Sequence, residues 1–576
     1  MSKRLAEELQ QLELMKRCYG RGCATKCERF LVRLRTAKFE DVESLIRFHD
    51  TLLFLRAFPQ SESVARLADE LLASLEPQVS RLLVLPSAAE LFDDEAVSGI
   101  AGTSVTNTWT LELACRLVER HPKDVSAQWN LDDRYRQLAT ILPNCIPLLA
   151  DDSFVEADTP YLEWIESASG GKKHELQWML NSFSNLPMPR RIRTSLYDAL
   201  DVNLRWNLRD SPASRTLARR PVSRIFTHNA PLLQRKDVSL FDEMISAPLA
   251  LRKLSRREGQ GIIAMAQDAL AVRYRELQGS TYGDPNYVFQ ADVGRGVQLF
   301  LWGLDAEWRL PLRAYYAGLT LKNGVPVNYF EAIGLFEWME VGFNTFYAFR
   351  EGETAWIYSK VLHLLHQLAG ATCISVYPYQ IGQDNEEAIQ SGAFWFYRKL
   401  GFRPGRPDLL AITEQEEREL ARDPKHRTSA RILRKLAEGH IFFEFGNTPV
   451  GRWDSFSTRT LGLRVQRKMA AEFGGDVQKM RTAATSRLRK ILGLNLRSWN
   501  AHEQTALSDF AVALSLVPNL ARWSPVDKQK LAAIIRAKAG PDETRYLRLL
   551  QKHHHLRDVL LELGSDPQPL AGSSKK

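Results

Sequence analysis

The chain has 576 residues, 44% of them apolar and 25% charged, and its 77 Lys and Arg against 68 Asp and Glu give a net charge of +9. This is an ordinary globular composition, which excludes a disordered chain, and the length exceeds what one hydrophobic core supports. At about 100 to 200 residues per unit, three or four folded units are predicted.

The opening Met1-Ser-Lys-Arg-Leu-Ala-Glu-Glu is charged throughout, and no apolar run is long enough to cross a bilayer. The expectation is a cytoplasmic protein with no membrane partner. Cys18-x4-Cys23-x3-Cys27 offers three thiols where a structural zinc uses four ligands, with no His or Cys before His49. Reduced thiols and no metal are therefore expected, and six cysteines in so long a chain make no disulfide framework. The densest basic run extends from Arg190 through Arg205, Arg209, Arg215 and Arg219 to Arg224. A solvated surface paired with carboxylates is preferred for it over a face that binds RNA phosphates.

From Leu5 to Leu83 apolar residues recur at helical spacing, as in Leu5, Leu9 and Leu12 or Val64, Leu67, Leu71 and Leu75. Two or three packed helices are predicted there. Ser98-Gly-Ile-Ala-Gly-Thr103 lacks the Gly-Lys-Ser/Thr of a phosphate loop and reads as a turn. Helical patterns return at 108–119 and 131–142, with Pro143, Pro147 and Pro160 marking short connections, and Asp93-Asp94 and Asp151-Asp152 read as caps or solvated loop ends.

A helical stretch over 240–277 follows, interrupted near Pro248 and Arg256. The period then changes. Val297–Trp302 and Leu312–Leu321 are rich in strand formers, Asn323-Gly324 is a strong hairpin signal, and Val325–Phe330 is the returning strand. Val341–Phe349 reads as a further strand and Ala355–Leu368 as a helix with Ile357, Val361, Leu364, Leu365 and Leu368 on one face. Thr372–Tyr377 is strand-like, and Ser391–Phe402 is an aromatic helix ending in Tyr397-Arg-Lys-Leu-Gly-Phe402. Beyond Pro407 the chain is charged and helical at 414–422, 429–438, 461–492, 503–515 and 525–563. His363-x-x-His366 and His553-His-His555 read as polar helix faces.

Strand, hairpin, strand, Gly-containing turn, helix, strand and aromatic helix, closed by Tyr397-Arg-Lys-Leu-Gly-Phe402, resembles the acyl-CoA-binding core of the GNAT acyltransferase superfamily. The resulting expectation is an α+β multidomain chain: a mainly helical region 1–215, a GNAT-like mixed sheet with helices over 216–410, a helical region 411–565 and a disordered tail 566–576.

The resemblance implies an acyl-CoA co-substrate, acetyl-CoA first, and an unidentified amine acceptor. It places the coenzyme at Phe349, Arg350, Gly352, Thr354 and Ala355, where amides at a helix N-terminus would hold pyrophosphate. It makes Tyr397 the acid that protonates the leaving thiolate, since a phenol with pKa near 10 keeps its proton at neutral pH. Glu340 and Glu337, with Glu331 on the preceding strand, are the candidate bases beside an apolar cleft of Phe336, Trp338 and Phe343. Asn344 is a further polar handle. Glu351 and Glu353 stand in the coenzyme turn, where like charges about 6 Å apart repel by roughly 1 kcal/mol in water. Either both side chains point away from the ligand, or the turn no longer holds a pyrophosphate, or it binds something cationic. Three functions follow: an acyl-CoA-dependent N-acyltransferase, a transferase that uses a charged tRNA through the 190–224 segment, and a degenerate core serving as scaffold or sensor.

Overall fold

The computed structural model describes residues 3–129, 138, 140–145, 161–423 and 425–565. The readings made on most of 131–142, on 146–160 and on the tail 566–576 lie outside the described residues. The chain is an α+β protein in which helical N- and C-terminal regions flank a central mixed sheet of nine strands.

The N-terminal helices run over Lys3–Met15, Cys23–Leu34, Val42–Ala57 (α1), Glu62–Ala73 and Glu76–Leu82. They are more numerous than the apolar spacing alone indicates. α1 begins at Asp41, whose carboxylate accepts the Ser44 amide, and buries residues on nearly every side, including Phe48, Leu52 and Phe54. Cys18 and Cys23 form a disulfide, which corrects the expectation of reduced thiols at those two positions. The region to 215 is not wholly helical: β1 (Ser104–Thr108), β2 (Val125–Gln128) and β3 (Asn203–Asn207) make a small antiparallel sheet in the order β1-β3-β2. A separate core forms around Trp109, Leu117, Phe183 and Trp206.

The central sheet contains β4 (Leu251–Lys253), β5 (Gly283–Asp292), β6 (Val297–Leu304), β7 (Ala314–Lys322), β8 (Val325–Leu335), β9 (Trp338–Thr345), β10 (Cys373–Val376), β11 (Arg403–Pro404) and β12 (Ile441–Glu444). Their order is β11-β12-β10-β9-β8-β7-β6-β5-β4. Asn323 and Gly324 have φ of +50° and +81°, the backbone of the tight turn expected between β7 and β8. β12 enters the sheet from beyond residue 410, so the sheet and the start of the C-terminal region are interleaved.

Period-two alternation assigns the faces. Tyr315, Ala317, Leu319 and Leu321 of β7 pack against Ile262, Ile263 and Ala266 of the helix Arg256–Ala271 (α2). The other face meets the helix Thr354–Ala369 (α3), whose Ile357, Val361, Leu364 and Leu365 are buried as the sequence spacing indicates. The aromatic helix spans Ala393–Arg398 (α4). In the C-terminal region, Gly474 and Gly475 split one long helical pattern into Thr458–Phe473 (α5) and Val477–Leu492 (α6), and the helix Thr544–Gln551 (α7) returns to the sheet. No helix among the described residues is long and apolar enough to cross a membrane.

Candidate functional site

β9 and β10 are the parallel neighbours in an otherwise antiparallel sheet. They pair over Trp338–Glu340 against Cys373–Ser375, after which β9 continues to Thr345 paired with β8 but without β10. A gap opens where they part. In an antiparallel ladder the N–H and C=O of one residue point to the same side. The Phe343 amide donates to the Gln380 side chain at 3.4 Å, so Phe343 turns its backbone groups away from β8 and into this gap.

A cavity of about 260 Å³ occupies the gap, with Phe343, Asn344, Arg350, Thr354, Gln380 and Tyr397 among its walls. Tyr397 is 4% exposed, with its ring edge-on to Tyr358 and Phe402 at 5.7 and 5.6 Å. Burial pushes its phenol up, so it stays protonated and able to donate across the neutral range. Arg350 spans the mouth of the cavity: it lies over the Tyr347 ring at 3.9 Å and pairs with Glu387, which also accepts the Tyr347 hydroxyl at 2.9 Å. Burial opposes ionisation of Glu387, yet the bonds from Arg350 and Tyr347 hold it below the usual carboxylate range.

The turn before α3 resolves its two acidic residues differently. Glu351 points outward to Lys16 at 2.6 Å and Arg17 at 2.8 Å, and these cations, against the opposing effect of burial, lower its pKa. Glu353 points inward and is fully buried. It takes the Arg295 Nε at 3.0 Å and the Leu233 amide at 3.1 Å, with the Lys322 ammonium 3.9 Å away. Neither carboxylate is left facing the cavity uncompensated. Gly352 is required by packing: a Cβ there would lie 2.5 Å from the Phe58 ring, and its amide already donates to Phe349. Phe349 is itself buried, and Ala355 is buried in the first turn of α3. Thr354 reaches the cavity wall, and Glu353 supplies no side-chain cap, so among the described residues the first three amides of α3 have neither an intrahelical nor a capping acceptor.

The candidate bases separate. Glu337 lies just before β9 in the core, where it accepts Trp453 Nε1 and pairs with Arg557, each at 3.2 Å; it does not line the cavity. Glu340 stands opposite Ser375 in the last β9–β10 pair, at the vertex of the gap and on the α2 face of the sheet. His440, just before β12, meets it at 3.1 Å. This imidazole was not found from the sequence, because it lies 100 residues from Glu340 and the pairing depends on β12 inserting beside β10. Glu331 sits on the same face, opposite Gly342, and accepts the Tyr315 hydroxyl; burial raises its pKa, the Tyr315 bond opposing in part.

The remaining sequence candidates are absorbed structurally. His363 meets Glu243 at 2.8 Å and His366 bonds the Ala371 carbonyl, so the two imidazoles do not converge. His553 accepts the Leu556 amide at the start of a C-terminal helix. No cluster suited to a metal ion occurs among the described residues. In the basic run, Arg190 chelates Glu112, Arg209 and Arg219 pair with Asp124 and Asp69, and Arg215 is buried on the Ala96 carbonyl. No protein-family model, curated protein or solved structure matches the chain.

Proposed function

We propose that the cavity between β9 and β10 binds an acyl-coenzyme A and that the protein transfers the acyl group to an amine, in the manner of GNAT acyltransferases. The observation that carries this reading is the parting of the parallel β9–β10 pair beside an uncapped α3 N-terminus and a buried, protonated Tyr397. Backbone groups turned into the gap suit the amides of the coenzyme's arm, as an extended ligand suits a free strand edge. The first-turn amides of α3 and Arg350 suit its phosphates.

In the proposed reaction the amine nitrogen attacks the thioester carbonyl and forms the C–N bond. The C–S bond then breaks. Glu340, held by His440, takes the proton lost by the amine through water, and the Tyr397 hydroxyl protonates the departing thiolate. A cationic amine would approach on the α2 side of the sheet, toward the half-buried Glu340. Glu337, tied up by Trp453 and Arg557, is assigned no chemical step.

Millimolar acetyl-CoA is expected to raise the melting temperature, and a flat response across acetyl-, longer acyl- and free coenzyme A would defeat the proposal. Tyr397→Phe, which keeps the ring packing, is expected to lower kcat about 100-fold with little change in KM. A second reading, a ligand-sensing scaffold, draws on the Arg350–Glu387 pair across the mouth and the Phe58 ring against Gly352. It is supported if coenzyme A binds but no amine is acylated.

A further inference from the structure

The net charge of the chain is concentrated where the arginine-rich 190–224 segment is not. Between Thr458 and Arg497 stand ten Lys or Arg against Glu472 and Asp476, a local net charge of +8 in a chain whose total is +9. These residues are α5, α6 and the short link to Trp499. Three of the cations are matched: Lys468 to Glu472, Lys479 to Asp476 and Arg481 to Asp509. Arg459, Arg467, Arg487, Lys490 and Arg497 are exposed and have no ion pair among the described residues. Elsewhere the arginines are largely spent on internal carboxylates and carbonyls, so this excess reflects placement as well as composition.

α6 is anchored by its inner face, with Met480, Ala484 and Leu488 buried, whereas α5 buries Leu461 in its first turn and leaves Val465, Met469 and Phe473 half-buried. Their outer faces interleave the cations with small or polar residues such as Gly462, Gln466, Thr482, Ala483 and Ser486. Leu463 and Val477 are the large apolar side chains exposed there. An amphipathic helix that enters a bilayer needs a broad apolar face, which α6 does not present to solvent, and the exposed residues of α5 are mostly charged, polar or small. A rigid surface of cations with small spacers instead allows close approach to a phosphodiester backbone. A 16-residue helix is about 24 Å long, roughly seven base-pair steps of a duplex.

We infer that the outer surface of α5 and α6, continued by Arg497, binds the sugar-phosphate backbone of a nucleic-acid duplex without reading its sequence. The inference stands apart from acyl transfer and does not require it. Five phosphate contacts predict that log K falls with log salt at a slope of about −4 to −5.

The test is fluorescence anisotropy of the full chain with labelled random-sequence RNA and DNA duplexes of about 20 base pairs, across about 50 to 200 mM salt. Binding to either duplex, with that slope, is the expected result, and the two arms tell which sugar is preferred. The variant Arg487→Gln/Lys490→Gln/Arg497→Gln should weaken binding at least about tenfold and flatten the slope by about 2 to 3. Arg459→Gln/Arg467→Gln reads the same surface from the other helix, should the first variant fold poorly by its melting curve. Arg224→Gln, an exposed arginine of the other basic segment, should bind as the parent does. Failure to bind either duplex at low salt, binding by both helix variants as tight as the parent's, or binding confined to phosphatidylserine vesicles overturns the inference.

Discussion

At the scale of single residues, the two glutamates of the coenzyme turn show how little a charge pattern says until each side chain has a direction. Glu351 meets Lys16 and Arg17 at the surface, whereas Glu353 is enclosed by Arg295, Lys322 and the Leu233 amide. Gly352 between them fits because Phe58 presses against it. Gly352→Ala is therefore expected to cost about 1 to 3 kcal/mol in denaturant-unfolding experiments, and an unchanged midpoint would show that Phe58 moves aside freely. His228 belongs to the same buried group. It is 2% exposed, and burial, with Lys322 and Arg295 nearby, pushes its imidazole down to about 2. Its folded pKa is below the unfolded value near 6.5, so the unfolded chain binds the extra proton. Its contribution is present above about pH 6.5 and is lost as pH falls from there toward the folded value. Buried His49, also shifted down by burial, acts in the same direction. His228→Gln should flatten the stability-against-pH curve between about pH 6.5 and 4, by up to about 1.4 kcal/mol per pH unit; a parallel curve would remove His228 as a source of the slope.

At the scale of elements, the buried Lys538–Glu543 pair ties the C-terminal region to the sheet. Glu543 also accepts the Tyr315 amide at the start of β7, and Lys538 donates to the Arg313 carbonyl at 2.7 Å. Lys538→Met leaves the Glu543 carboxylate enclosed without its cation and is expected to cost about 3 to 5 kcal/mol. Adding Glu543→Gln should recover part of that loss; equal destabilisation by the single and double variants would locate the cost in packing instead. This attachment was invisible in the sequence, since neither residue is unusual and their partners lie more than 200 residues away. The hairpin at Asn323-Gly324 and the apolar stripe of α3 were legible because both depend on local backbone and period. β5 was missed because Pro285 and its polar neighbours mask the alternation, and β4, β11 and β12 are too short to show a period. Of the candidate site, Tyr397 and the α3 turn could be placed from their order along the chain. The Glu340–His440 pair could not, because it exists only once β12 has inserted beside β10.

At the scale of the molecule, one continuous apolar cluster runs from Leu9 to Leu561 and takes in the N-terminal helices, the α3 face of the sheet and the C-terminal helices. The candidate site uses the N-terminus of α3, and α7 holds the opposite end of the same helix. Arg548 donates to the Gln367 carbonyl at 2.6 Å and to Leu368 at 3.3 Å, while Gln551 donates to Ala369 at 2.8 Å and to Phe336 at 3.0 Å. The carbonyls of Gln367, Leu368 and Ala369 are among those that the last turn of a helix leaves without partners, and Phe336 lies in the turn between β8 and β9. Tyr546, Leu547 and Leu550 of α7 are fully buried. Three such side chains at about 1.5 to 3 kcal/mol each amount to roughly 5 to 9 kcal/mol, comparable with the whole stability of a typical domain. A chain ended after Gly540 is therefore expected to elute as aggregate in size-exclusion chromatography and to lose its cooperative melting transition. Arg548→Ala/Gln551→Ala, which keeps the apolar contacts, should leave a folded protein with faster amide exchange confined to the C-terminal turn of α3. If the shortened chain stays monodisperse and melts as the parent does, α7 is an accessory to the sheet. If the double variant exchanges no faster, the end of α3 is secured by Gly370, at φ +75°, and its own capping bonds, and the C-terminal region has no mechanical link to the site.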